Sequence, residues 1–376
     1  MRTALQFDSS ALFDKAKLKP IENPNCRKPL VAWKPRENTE KSRLRHALPT
    51  DEKMRFFNSE PPAKSRYLYE RMEFSCKQCT ACRLNKSMEW AGRIMAEAKL
   101  YGDDNCFVTL TYNDEHLPEH GNLVLRDIQL FKKRLRKVAK GVHPVFGVKL
   151  KPNQSNPIRT FESGEYGDQF GRSHYHLAIM NYKPKDLIVS GKNKQGDKHY
   201  RSKQLSALWG KGHVTIGDLT VASAAYIARY VVKKVNGEKK DEHYSRVDQE
   251  TGEMYSLKQE FATMSRKPGI GVPYFHKYTS DFMDGKMLIT TKKRTPSKLP
   301  NGMPFIAVSN QTISRKIPAL FEKLLEDKHP ELVEKLKEER KKYLLQHQID
   351  YPEEYTEERR AVKEIVFNAK IKSLKR

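Results

Sequence analysis

Two short patterns in this 376-residue chain place side chains suited to phosphate chemistry close together. The first is SHYHLAIM, which sets His174 and His176 two residues apart. On a strand, positions i and i+2 share a face, so both imidazoles project together, roughly 7 Å apart, and can share one cation. Tyr175, Leu177 and Ile179 then point to the other side. If the preceding turn GDQFG is centred between Gln169 and Phe170, Glu165 falls opposite His174 on the same face. A turn one residue different would set Glu162 opposite His176, which makes Glu162 the alternative third ligand. Two neutral imidazoles and a carboxylate with open positions suit Mg²⁺ or Mn²⁺ polarising a phosphate. The same donors suit zinc, so the residues leave the metal open. An ordinary strand with two hydrogen-bonded histidines would show the same pattern.

The second pattern is VASAAYIARYVVKKV. At helical spacing Ala224, Ile227, Ala228, Val231 and Val235 form an apolar stripe, while Tyr226, Tyr230 and Lys233 share the opposite face. Residues four apart on a helix are neighbours, so both hydroxyls reach one small region. Arg229, Lys233 and Lys234 stand beside them as candidate phosphate contacts. A phenol with an ordinary pKa of about 10 is a poor nucleophile at neutral pH, and adjacent cations or a metal-activated phosphate would be needed to help it. The plainer reading of such a helix is a packed or stacking surface.

The elements that must position these groups are legible in outline. NKSMEWAGRIMAEAKLYG repeats apolar residues at helical spacing (Met88, Ala91, Ile94, Met95, Ala98), CFVTLTYND alternates, and LRDIQLFKKRLRKVAK is an amphipathic basic helix. A hairpin, the strand HVTIGDLT and the tyrosine helix, ended by Asn236 and Gly237, follow. This order predicts an α+β fold, an antiparallel sheet with packed helices. The expected division is a basic N-terminal arm over 1–72 with little core, a catalytic core over 73–240, an irregular glycine-containing basic region over 241–312 that completes it, and a charged helical extension over 313–376, interrupted by Pro330.

Lysine and arginine number 71 against 46 acidic residues, a formal net charge of +25. That excess predicts a polyanionic partner, because releasing counterions from phosphates drives sequence-independent nucleic-acid binding. Arg266 and Lys267, beside a Pro-Gly turn in MSRKPGIGVPYF, are further candidate phosphate contacts. No apolar run approaches the roughly 20 residues that span a bilayer, and the first residues lack the apolar centre of a signal peptide, so no membrane and a cytoplasmic location are expected. Five cysteines in such a chain argue against a disulfide framework. Cys76, Cys79 and Cys82 in CKQCTAC have the spacing of structural zinc ligands, with Cys26, Cys106 or a histidine as completion. Reduced thiols at a helix start are the alternative.

Taken in order, FVTLTYND, HYHLAI and YIARYVVKK resemble the three motifs of the HUH endonuclease superfamily. CRLNKSMEWAGRIMAEAK, FVTLTYNDEHLP, LVLRDIQLFKKRLRK, GEYGDQFGRSHYHLAI, VTIGDLTVASAAYIARYVVKKVNG and MSRKPGIG resemble the replication initiators of gokushovirus-type microviruses, over about 73–280. The resemblance implies a ferredoxin-like or RNA-recognition-like core, a divalent ion on His174 and His176, and attack on a DNA phosphate by Tyr226 or Tyr230. It further implies a 5′-phosphotyrosine, a free 3′-hydroxyl that primes synthesis, and later rejoining of the displaced circle. Single-stranded DNA at the replication origin, a host helicase and a host DNA polymerase are the implied partners, in the host cell cytoplasm and without ATP. Two rival readings exist. A non-catalytic single-stranded nucleic-acid binder would use the basic charge and stacking on Tyr112, Tyr166 and Phe170, but leaves the order of the three motifs unexplained. A phosphodiesterase that activates water would use the tyrosines only to position DNA.

Overall fold

The computed structural model describes residues 26, 28–35, 69–139, 158–167, 171–193, 196–230, 239–248, 251–298 and 304–374. It comprises two units, 1–85 with 331–376, and 86–330. In the first, β1 (Leu30–Pro35) pairs antiparallel with β2 (Tyr69–Phe74), with Leu30 opposite Phe74. This part of the chain reads in sequence as an unstructured arm. Its partners are far apart along the chain, so no local periodicity announces the ladder. Helix α1 (Thr80–Lys99) follows and continues into the second unit.

The second unit runs through β3 (Asn105–Tyr112), α2 (Leu125–Ala139), β4 (Arg159–Tyr166), β5 (Ser173–Met180), β6 (Ile188–Lys192), β7 (Lys198–Arg201), α3 (Lys203–Trp209), β8 (Gly212–Gly217) and α4 (Val221–Tyr230). Then come α5 (Lys239–Tyr244), the hairpin β9 (Ser245–Val247) and β10 (Met254–Ser256), β11 (Phe261–Met264), α6 (Val272–Lys277), the long hairpin β12 (Lys286–Lys298) and β13 (Pro304–Lys316), and α7 (Ala319–Lys328). The first unit ends with α8 (Pro330–Asp350) and α9 (Glu357–Leu374). Seven strands form one sheet in the order β11-β4-β5-β3-β8-β7-β6, antiparallel throughout, which is the α+β class expected.

Each face of this sheet has its own core, as strand alternation demands. On one face Val108, Leu110, Tyr175, Leu177 and Ile179 meet Ile128, Phe131, Leu135 and Val138 of α2, with Leu205, Leu208 and Trp209 of α3. Those four α2 positions are three or four apart, the spacing that makes one apolar stripe. Helix α3 is closed at both ends: the Ser202 hydroxyl accepts from the Leu205 amide, and Gly210 takes the left-handed conformation at φ 63°. On the other face Phe161, Ala178 and Met180 pack on Ala91, Ile94 and Ala98 of α1 and on Ala224 and Ile227 of α4. Glu97 of α1, fully buried, accepts from Arg159 Nε at 2.9 Å and from the Gly271 amide at 2.7 Å, tying β4 and the 265–271 loop to that helix.

The region after 241 is less irregular than its composition suggests. β11 extends the sheet beside β4, with Phe261 opposite Gly164, and β12 pairs β13 over 13 residues. Charged runs and Pro296 hide this hairpin, although Ile289, Thr290, Thr291, Ile306 and Val308 are strand-forming residues.

Candidate functional site

The site is built on the β4–β5 hairpin. The Gly167 amide donates to the Arg172 carbonyl at 2.9 Å, and the ladder sets Glu165 opposite His174 and Ser163 opposite His176. That is the register expected from the turn. Nε2 of His174 and Nε2 of His176 both meet Oε1 of Glu165, at 2.8 and 2.6 Å. The far nitrogens are held as well: Nδ1 of His174 lies 3.1 Å from the Arg172 carbonyl and Nδ1 of His176 3.0 Å from the Thr109 hydroxyl. A carbonyl only accepts, so Nδ1 of His174 carries the proton. Its Nε2 lone pair would then face a carboxylate oxygen, an arrangement stable only with a second proton or a cation between them. Second-side anchoring of this kind aims ligand nitrogens at a metal.

Burial works to raise the Glu165 carboxyl, but the hydrogen bonds and charges of His174 and His176 outweigh it and bring it down to about 2. The three ligand atoms lie within 4.8 Å of one another, so the group fits a divalent cation. Glu162, the alternative ligand, is not part of it. It stands opposite Leu177, hence on the α2 face, where it pairs with Lys132 and accepts from the Thr263 hydroxyl. A two-residue side-chain period separates the two carboxylates completely.

Helix α4 brings Tyr226 to this group. Ala224, Ile227 and Ala228 are buried against the sheet, and the Ser87 hydroxyl of α1 donates to the Ala225 carbonyl at 2.7 Å. Tyr226 is half-buried; its hydroxyl donates to Oε1 of Glu165 at 3.4 Å and its ring meets the His176 ring at a centroid distance of 5.0 Å. The Arg229 guanidinium lies 5.3 Å from the Tyr226 ring. Tyr230 ends the described part of α4 but its side chain is outside the described residues, as are Lys233 and Lys234 entirely.

Other expected residues are placed elsewhere. Arg266 and Lys267 are exposed in the loop after β11, next to Thr160, whose amide donates to the Ser265 hydroxyl at 3.1 Å. Five residues separate Thr160 from Glu165 along β4, roughly 17 Å at 3.3 Å per residue, so the loop is not at the metal group. Of the aromatics available for stacking, Tyr112 is 1% exposed and bonded to Asp127 and Tyr175, both at 2.8 Å, while Tyr166 is half-buried and donates to the Lys258 carbonyl. Phe170 lies outside the described residues. One neighbour escapes the motif reading: Thr111 stands between His174 of β5 and His213 of β8, so these three residues line up across three strands on the metal face. His213 is exposed, and its alternation with buried Val214 and Ile216 is the signal that marks it.

The cysteine trio gains a fourth member in the first unit. Cys26, Cys76, Cys79 and Cys82 have their sulfurs within 4.8 Å of one another. Burial pushes the Cys82 thiol up to about 12. Cys106 is buried in the sheet of the second unit, beside the Tyr182 carbonyl, and takes no part.

Residues 105–235 match the family model for replication-associated protein ORF2. Over 207 residues the chain is 34% identical to the replication-associated protein VP4 of Bdellovibrio phage phiMH2K, covering 54% of this chain and 58% of that one. It is 38% identical over 164 residues to the replication-associated protein ORF2 of Spiroplasma virus 4 (43% of this chain, 48% of that one). It is 32% identical over 221 residues to the replication-associated protein ORF4 of Chlamydia phage 1 (57% and 49%). The chain thus spans about half the length of the curated relatives it matches. No solved structure matches it. The segment that carries both histidines and both tyrosines is therefore that of the replication-associated protein ORF2 family, and the chain is similar there and beyond to replication-associated proteins of microviruses.

Proposed function

We propose that this protein initiates rolling-circle DNA replication by nicking single-stranded DNA at the origin through a tyrosine. The observation that carries the reading is the convergence of Tyr226, His174 and His176 on one oxygen of Glu165. Glu165, His174 and His176 would hold Mg²⁺ or Mn²⁺, which supplies Lewis-acid polarisation of the scissile phosphate. Tyr226 attacks phosphorus, a tyrosyl O–P bond forms and the bond to the 3′-oxygen breaks. The phenolic proton leaves to solvent and the 3′-oxygen gains one, giving a 5′-phosphotyrosine and a 3′-hydroxyl. Phosphodiester energy is kept in the protein–DNA bond, so rejoining requires no nucleotide cofactor. Tyr230, one turn along α4, serves the second cut that releases the displaced circle.

Arg229 neutralises phosphate charge near the attacking ring, and Lys233 and Lys234 extend the basic end of the tyrosine segment. The strip of Thr111, His213 and Thr215 beside the metal group leaves an uncovered polar surface for the strand to cross. A host helicase and polymerase acting on the 3′-hydroxyl, in the host cytoplasm, complete the scheme. Incubating the full chain with a single-stranded origin oligonucleotide and Mn²⁺, then resolving products on a denaturing gel, tests it. A protein-linked 5′ product is expected. A free 5′-phosphate product alone would favour water as nucleophile, and binding without cleavage would favour the non-catalytic binder.

A further inference from the structure

The first unit holds a second group of ligating side chains, independent of the nicking centre. Because Leu30 pairs with Phe74, the chain entering β1 and the chain leaving β2 emerge side by side. Cys26 and Cys76 sit on those two ends, and the Cys76 amide donates to the Cys26 sulfur at 3.3 Å. Lys77 then turns the backbone through φ 57°, and the Cys79 amide donates to the Cys76 sulfur at 3.2 Å. Helix α1 starts at Thr80, so Cys82 lies in its first turn, with its sulfur 2.9 Å from the Ser75 hydroxyl. Cys26, Cys79 and Cys82 are buried, and none of the chain's cysteines forms a disulfide.

Zinc–thiolate bonds of about 2.3 Å in a tetrahedron place sulfurs about 3.8 Å apart. Sulfurs that already lie within 4.8 Å of one another need only a small contraction to reach it. The spacing is too tight to enclose a multi-iron cluster. Amide-to-sulfur hydrogen bonds such as those from Cys76 and Cys79 stabilise thiolate charge. Soft thiolates in a four-coordinate set select zinc over the hard cations that suit Glu165, His174 and His176.

We propose that Cys26, Cys76, Cys79 and Cys82 bind one structural zinc ion. Four thiols release four protons on binding, and the resulting doubly negative centre is flanked in sequence by Lys28, Lys77 and Arg83. With all four positions taken by protein there is no open site for a substrate, so the ion holds structure and does no chemistry. It staples a segment whose ends are 50 residues apart, Cys26 to Cys76, at the start of α1.

The full chain, purified without chelator, is expected to carry one thiolate-bound zinc per molecule by elemental analysis. Cobalt exchanged into it should show sulfur-to-cobalt charge transfer and the visible bands of a tetrahedral site. Cys26→Ser and Cys79→Ser should each lose that spectrum, whereas Cys106→Ala and the double variant His174→Ala/His176→Ala should keep it. The last variant separates this site from the nicking centre, since no thiolate is present there. Because the spectrum of the unmutated chain stands alone, misfolding of a cysteine variant does not rescue or sink the proposal. Absence of thiolate-bound cobalt in the unmutated chain, iron in place of zinc, or an unchanged spectrum in Cys26→Ser would overturn it.

Discussion

Tyr226 sets its hydroxyl 3.4 Å from Oε1 of Glu165, the same oxygen that both imidazoles meet. A phenol four helical positions from a second phenol, with a guanidinium near its ring, therefore stands beside a cation-ready group. This proximity is the geometric basis for tyrosine transesterification, because positioning turns attack on a held phosphate into an intramolecular step.

Replacing His174 and His176 by alanine should lower nicking by at least about 100-fold, the scale seen when electrostatic stabilisation of a transition state is removed. Binding of single-stranded DNA should change little, since it rests on the distributed positive charge. Parallel cleavage gels and fluorescence anisotropy check both halves. Undiminished metal-dependent cleavage would take the pair out of the mechanism.

The two carboxylates of β4 should separate cleanly. Glu165→Gln is expected to weaken Mn²⁺ binding by about 10- to 100-fold or more, whereas Glu162→Gln should leave it unchanged and lower stability by about 1–3 kcal/mol by disturbing the buried contacts to Lys132 and Thr263. Calorimetric titration with Mn²⁺ and urea unfolding distinguish them. An equal effect of both on metal affinity would contradict the register.

Acid should weaken the metal-free protein through Glu165. Its carboxyl falls from 4.5 to about 2 on folding, so its contribution is complete above pH 4.5 and is lost as pH falls toward 2. Urea midpoints measured on acidification should therefore decline more steeply for the unmutated chain than for Glu165→Gln. Parallel declines would show that the carboxylate is not held by its histidines.

Much of this site could be read in the sequence because its logic is local. A two-residue period and a short turn place Glu165 opposite His174, and a four-residue period places the tyrosines together. What depends on distant pairing could not be read. Cys26 joins the other cysteines only through the β1–β2 ladder, and β12–β13 is concealed by lysines that an exposed strand tolerates. Glu162 and Glu165 look equivalent until the register is known.

Glu97 offers a test of how the tyrosine face is supported. It is fully buried and satisfies Arg159, which is 6% exposed, together with the Gly271 amide. Glu97→Ala leaves that guanidinium unpaired and should cost about 3–5 kcal/mol of stability. Chemical denaturation of the variant measures it. A change within about 0.5 kcal/mol, the range of ordinary surface substitutions, would mean the pair is not buried as described.

The central claim is the covalent link, and mapping it is the most direct measurement. The chain is incubated with Mn²⁺ and a labelled single-stranded origin oligonucleotide, digested with protease, and the nucleotide-bearing peptide is sequenced by mass spectrometry. The phosphate should sit on Tyr226 or Tyr230, with each single Tyr→Phe variant still forming an adduct and the double variant forming none; phenylalanine keeps the ring and removes only the hydroxyl. An adduct on a residue outside α4, or cleavage by the double variant at the unmutated rate, would contradict the account.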